Sequence, residues 1–127
     1  MLSFTVGNDG LFFTRSQWQA DTVADGFLSA MPALVAQAER SGARVVVTSV
    51  YPQGRFSTLH LAPLKRVHEV MANLRCDGFV DLLTPLDDGQ GRWKADVSAD
   101  PAHPNSKGHA KMLEAARPVI RRVLRSC

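Results

Sequence analysis

The chain is poor in cysteine. Cys76 and Cys127 are the only two in 127 residues, too few and too far apart for the disulfide framework that staples small secreted domains. It also lacks an apolar run of membrane-spanning length. The densest stretch, Phe27 to Ala36, is interrupted by Ser29 and Pro32. The opening residues, Met1 to Gly7, carry neither a basic n-region nor an h-region and are not read as a signal peptide. No internal repeat and no low-complexity tract is present. With 45% hydrophobic and 21% charged residues, the composition is that of a folded globular chain rather than a disordered one. A chain of this length can bury a core without disulfides or metal, and residues 1–127 are expected to form one domain.

The net charge of +3 is unevenly placed. Lys107, Lys111, Arg117, Arg121, Arg122 and Arg125 are opposed only by Glu114, so this tail carries +5 and the remainder −2. A basic face can attract nucleic acid or an anionic surface. Cations late in a C-terminal helix also complement its dipole and solvate its outer face, and that reading is preferred. Nucleic acid is therefore not an expected partner.

Short β-rich runs alternate with longer helical patterns. Leu2, Phe4 and Val6 alternate with Ser3 and Thr5, which predicts a strand ending at Gly7. A helix is predicted from about Asp21 to Ser41, stopped by Gly42 and kinked or split by Pro32. Arg44 to Val50 is a β-branched run without alternation, as expected of a parallel strand covered on both faces. Pro63 to Leu74 predicts a second helix, Phe79 to Leu83 a short third strand, and Asn105 to Arg125 a last helix interrupted by Pro118. This order predicts an α/β fold, a parallel sheet with helices on its faces. Function in such sheets lies beyond the carboxyl ends of the strands, which directs attention to the loops after Val6, Val50 and Leu83.

The last of these loops reads Asp100-Pro101-Ala102-His103-Pro104-Asn105-Ser106-Lys107-Gly108-His109. Asp and His three apart in a tight turn can set a carboxylate against imidazole Nδ1, fixing the tautomer and leaving Nε2 as a general base. The two prolines stiffen the turn, and Asn105 or Ser106 can cap the helix behind it. An oriented base of this kind is two-thirds of a nucleophilic triad. After the first strand, Gly7-Asn8-Asp9 offers an Asn side-chain amide that could donate to a developing oxyanion.

Together, Gly7-Asn8-Asp9 and Asp100-x-x-His103-Pro104-Asn105-x-x-Gly108-His109 resemble the third and fifth blocks of the SGNH, or GDSL-type, hydrolases. The family's usual Gly two positions before the Asn is Val6 here. The resemblance implies a three-layer α/β/α, flavodoxin-like fold and hydrolysis of a small-molecule ester without a cofactor. It implies His103 as general base, Asp100 as its orienting partner and Asn8 as an oxyanion-hole donor. The family's nucleophile is the Ser of a Gly-Asp-Ser block, and no Gly-Asp-Ser occurs in this chain. The expectation is a carboxyl-terminal part of such a fold, lacking its first two strands, with a free sheet edge open to self-association or complementation. The alternative is a noncatalytic α/β interaction domain that retains the remnants of a site.

Other candidates are weighed beside these. Ser98 and Ser106 flank the turn too closely to face His103 across a substrate, and Ser49 belongs to a buried strand. His109 is expected to pack beside Met112 and Ala116, and His68 to sit in the core, while His60 reads as loop or helix-start chemistry. A metal reading would join Asp100, His103 and His109, but no fourth ligand is evident, and none is expected. Phe12, Phe13, Trp18 and Trp93 could line an acyl or aryl pocket, or equally cover helix–sheet seams.

Overall fold

A computed structural model describes residues 10–126. The expected strand Leu2–Val6, the Asn8 loop and Cys127 lie outside the described residues. A single 3-10 turn, Leu11–Phe13, leads into α1 (Gln17–Arg40), β1 (Val46–Thr48), α2 (Thr58–Ala72), β2 (Gly78–Val80) and α3 (Ser106–Arg125). β1 and β2 pair in parallel, Val46 with Gly78, Val47 with Phe79 and Thr48 with Val80.

The non-alternating valine run has a direct structural reason. Val45 and Val47 pack into a cluster with Ala20, Ala24 and Val35 of α1 and Leu64, Val67 and Met71 of α2. Val46 instead joins Val80, Leu82 and Val123, with Met112, Ala116 and Val119 of α3 against them. Successive side chains of β1 thus serve opposite layers, so the strand needs apolar residues on both faces. The result is α1 and α2 on one side of the parallel sheet and α3 on the other, the predicted α/β/α order. Each fully buried valine contributes roughly 1.5–3 kcal/mol.

Element boundaries differ from the sequence expectation in specific ways. Both strands are shorter than Arg44–Val50 and Phe79–Leu83. The carboxylate of Asp81 ends β2 by accepting from the N–H groups of Leu83 and Thr84, both at 2.9 Å. α1 begins at Gln17 rather than Asp21, because the Ser16 side chain accepts from the Gln19 N–H at 3.3 Å. It ends as expected, with Gly42 at φ 80° donating its N–H to the Glu39 carbonyl.

Pro32 does not split α1, which is helical from end to end. The proline is exposed, while Ala20, Ala24, Met31 and Val35 bury a stripe spanning both halves. Burying that stripe outweighs the ~3 kcal/mol an interior proline costs. Pro118 likewise leaves α3 continuous. α2 starts before Pro63, at Thr58, because Ser57 and His60 form a capping box. There His60 Nδ1 accepts from the Ser57 N–H at 2.9 Å, the role a Glu or Gln more often fills.

Candidate active site

The chain after β2 folds back on itself twice. A first loop is closed where Asp87 and Trp93 form an antiparallel bridge, and a second where Ser98 and Pro104 do the same. Asp100 to His103 is the tip of the second loop. Its base is fixed by the Asn105 N–H on the Val97 carbonyl at 3.0 Å, with the Ala99 N–H on the His103 carbonyl at 3.1 Å. Asn105 then caps α3, its Oδ1 accepting from the Gly108 N–H at 3.0 Å while its amide donates to the Asp96 carbonyl. Gly108 is required by space: a Cβ there would lie 2.2 Å from the Val97 carbonyl oxygen.

Within the tip, Asp100 accepts from three donors. His103 Nδ1 lies 2.9 Å from Oδ2, and the N–H groups of Ala102 and His103 reach Oδ1 at 2.7 and 2.8 Å. The imidazole and then the two amides hold the Asp100 carboxyl below the usual carboxylate range. With Nδ1 donating to a carboxylate, the neutral imidazole carries its lone pair on Nε2. Both side chains are open to solvent, His103 at 75% and Asp100 at 49% of full exposure, so a reactant can reach Nε2 directly.

Main-chain contacts place this tip beside the loop after β1. The Pro101 carbonyl accepts from the Gly54 N–H at 2.7 Å and from the Trp93 indole N–H at 3.1 Å. Gln53 in turn donates its N–H to the Gly91 carbonyl at 3.0 Å. The loops following β1 and β2 therefore meet beyond the carboxyl ends of both strands, as a parallel sheet requires.

The remaining candidates fall as follows. Trp93 is buried, at 6% exposure, and stacks on Tyr51 with centroids 5.9 Å apart, so it underlies the Asp–His loop. Phe12 is half-buried against Phe56. Trp18 is exposed and, with Phe13, Thr14 and Val23, borders a separate surface hollow of about 280 Å³. No described contact joins Phe12 or Trp18 to the Asp–His loop. Asn8 lies outside the described residues.

Ser49 is fully buried; its hydroxyl donates to the Val50 carbonyl and accepts from the N–H groups of Leu82 and Leu83. Ser98 and Ser106 bracket the loop at its bridge and at the start of α3. His68 sits edge-on to Phe79, with Nε2 3.9 Å from the Asp81 carboxylate. His109 is exposed at the rim of a hollow shared with Met112, Leu113 and Ala116. Among the described residues, no three His, Cys, Asp or Glu side chains gather closely enough to hold a metal ion. No described helix is long and apolar enough to cross a membrane.

The capping role of His60 had a readable signal in Ser57-x-x-His60. The bonds from Gly54 and Trp93 to Pro101 had none, since the first joins residues distant in the chain and no local pattern marks the second.

The fold is similar to that in the crystal structure of a Bacteroides fragilis protein named as an acylhydrolase. The TM-score is 0.59 at 14% identity, over 93% of this chain and 82% of that one. No curated protein sequence matches the chain. The sequence model of the GDSL-like lipase/acylhydrolase family matches residues 4–111, and the chain belongs to that family of hydrolases.

Proposed function

We propose that this protein supplies the acid–base side of an ester-hydrolysing site, with His103 as general base and Asp100 as its orienting carboxylate. The observation that carries the reading is the 2.9 Å contact between His103 Nδ1 and Asp100 Oδ2 on a solvent-open loop tip, with Nε2 left to act. In the reaction a serine hydroxyl attacks the carbonyl carbon of a small-molecule ester and its proton passes to His103 Nε2. The tetrahedral oxyanion is met by the Asn8 amide. The imidazolium then protonates the departing alkoxide, and the base takes a proton from the water that cleaves the acyl-serine. Asp100 stabilises the imidazolium in both halves. The reaction needs no cofactor.

The nucleophile in this proposal comes from outside the present sequence. Ser49 is sealed in the core and engaged at every lone pair that matters to the fold, while Ser98 and Ser106 are held at the foot of the loop. The absence of a Gly-Asp-Ser block also favours a second reading, in which the 127-residue chain is a noncatalytic domain carrying the inherited pair.

Hydrolysis of p-nitrophenyl acetate by the protein complemented with a segment that carries the nucleophilic serine, with and without His103→Ala, tests the first reading. Turnover abolished by the substitution is expected, and undiminished turnover overturns the role of His103. Labelling with a fluorophosphonate probe tests the nucleophile. An unlabelled chain is expected, and labelling of a resident serine refutes an external one.

A further inference from the structure

Among the described residues, no side chain outside the turn bonds to Asp100 or His103. Both are exposed, and their contacts are with each other and with the main chain of their own turn. The turn itself must therefore be aimed by something else. Among the described residues, one group of the turn is gripped from outside the second loop: the Pro101 carbonyl, which lies between Asp100 and His103 in the chain and takes two donors at once.

We propose that Trp93 and Gly54 are positioning residues for the Asp100–His103 pair, acting together as a clamp on the Pro101 carbonyl. This rests on the reading of the pair as a base and its orienting carboxylate. The two donors approach from different loops, one a buried indole stacked on Tyr51, the other a backbone amide in the loop after β1. A single donor leaves the turn free to pivot about that bond; two fix its direction. Trp93 is itself immobilised by packing in a fully buried cluster with Leu86 and Val97, so its N–H is a rigid reference point.

Gly54 contributes through what it lacks. An ideal Cβ there would lie 2.9 Å from Pro101 Cα, 3.1 Å from its Cβ and 3.2 Å from its carbonyl oxygen. These are backbone and ring atoms that cannot turn aside. Gly54 does not occupy the left-handed region, so close approach rather than backbone conformation demands glycine. Any side chain at this position pushes the turn away from the sheet while leaving the N–H in place.

The test follows hydrogen exchange of the two donors by NMR, in the wild-type chain and in Trp93→Phe, Gly54→Ala and Met71→Ala. Trp93→Phe keeps an aromatic ring in the cluster and deletes the indole N–H. Met71→Ala opens a cavity in the separate core cluster of α1 and α2 and leaves both donors and their packing intact. Exchange of the Gly54 N–H is expected to quicken in Trp93→Phe, and that of the Trp93 indole N–H in Gly54→Ala, each measured against core amides such as that of Val47; neither gains on the core in Met71→Ala. With a serine-bearing partner in hand, kcat for p-nitrophenyl acetate should fall about tenfold in the first two with KM nearly unchanged. Donor exchange unmoved by Trp93→Phe and Gly54→Ala, or moved equally by Met71→Ala, overturns the clamp. Exchange does not depend on ester turnover, so failure of the clamp and failure of the catalytic reading give different results.

Discussion

The hydroxyl of Ser49, one residue beyond β1, accepts the Leu82 N–H at 2.7 Å across the sheet. It thereby joins the chain leaving β1 to the chain leaving β2, just where the two loops that build the site depart. Leu83 has a second acceptor in Asp81, but Leu82 depends on the serine. Ser49→Ala should therefore leave a buried donor without a partner and cost about 1–3 kcal/mol. Urea denaturation measures this; a loss below about 0.5 kcal/mol would mean that Leu82 finds another acceptor.

His60 should give the protein a stability that depends on pH. Its imidazole is buried, and burial holds it below its ordinary value of 6.5. The unfolded chain then takes up this proton before the folded one does. Stability is full above about pH 6.5 and declines as pH falls toward the lowered folded value. Protonation also removes the Nδ1 lone pair that accepts from Ser57. Urea midpoints measured across this range should drop on acidification, and His60→Gln should flatten the dependence.

The two members of the site should not be equivalent in turnover. In the proposed reaction loss of His103 removes the proton acceptor, and in the serine-complemented protein a fall in kcat of about a thousandfold or more is expected for His103→Ala. Asp100→Ala leaves the imidazole and removes its orientation and charge partner, so a larger residual rate should survive. Equal losses would show that Asp100 does more than orient.

Gly108→Ala should be strongly destabilising, since its Cβ would meet the Val97 carbonyl oxygen at 2.2 Å and the Pro104 ring at 2.8 Å. Relief requires the start of α3 to move away from the base of the Asp–His loop. A cost of about 1–3 kcal/mol is expected, together with reduced amide exchange protection at Asn105 and Gly108.

α3 presents apolar residues beyond those it buries. Leu113 and Leu124 are 55% and 68% exposed and lie within one arc of the helix. The protein alone should self-associate through this arc. Light scattering should report a mass above that of the 13.9 kDa monomer, and Leu113→Lys with Leu124→Glu should restore the monomer. A monomeric wild type at high concentration contradicts this.

What the sequence disclosed followed the range of the forces involved. Val45, Val46 and Val47 announced a strand covered on both faces because strand burial is written in adjacent residues. Asp100 and His103 were legible because the pair is made within one turn. Asn105 was one of two candidate caps, and the bond to Gly108 distinguishes it from Ser106. The starts of α1 and α2 were misplaced by several residues because Ser16 and Ser57 cap ahead of the apolar stripes used to locate the helices. The indole of Trp93 was weighed as a pocket wall, since nothing local reveals that its N–H is spent on a carbonyl eight residues on.

The hairpin-like closure at Ser98 and Pro104 has a kinetic consequence. Contacts between near neighbours form fast and survive partial unfolding, whereas those closing a long loop form late and open early. The Asp100–His103 contact belongs to the first kind and the Gly54–Pro101 bond to the second. Early in folding, and during sub-global opening of the native chain, the imidazole should keep its carboxylate but lose its bearing on the sheet. The pair would then be chemically intact and wrongly aimed, a state that spectroscopic assay of the histidine alone would count as native.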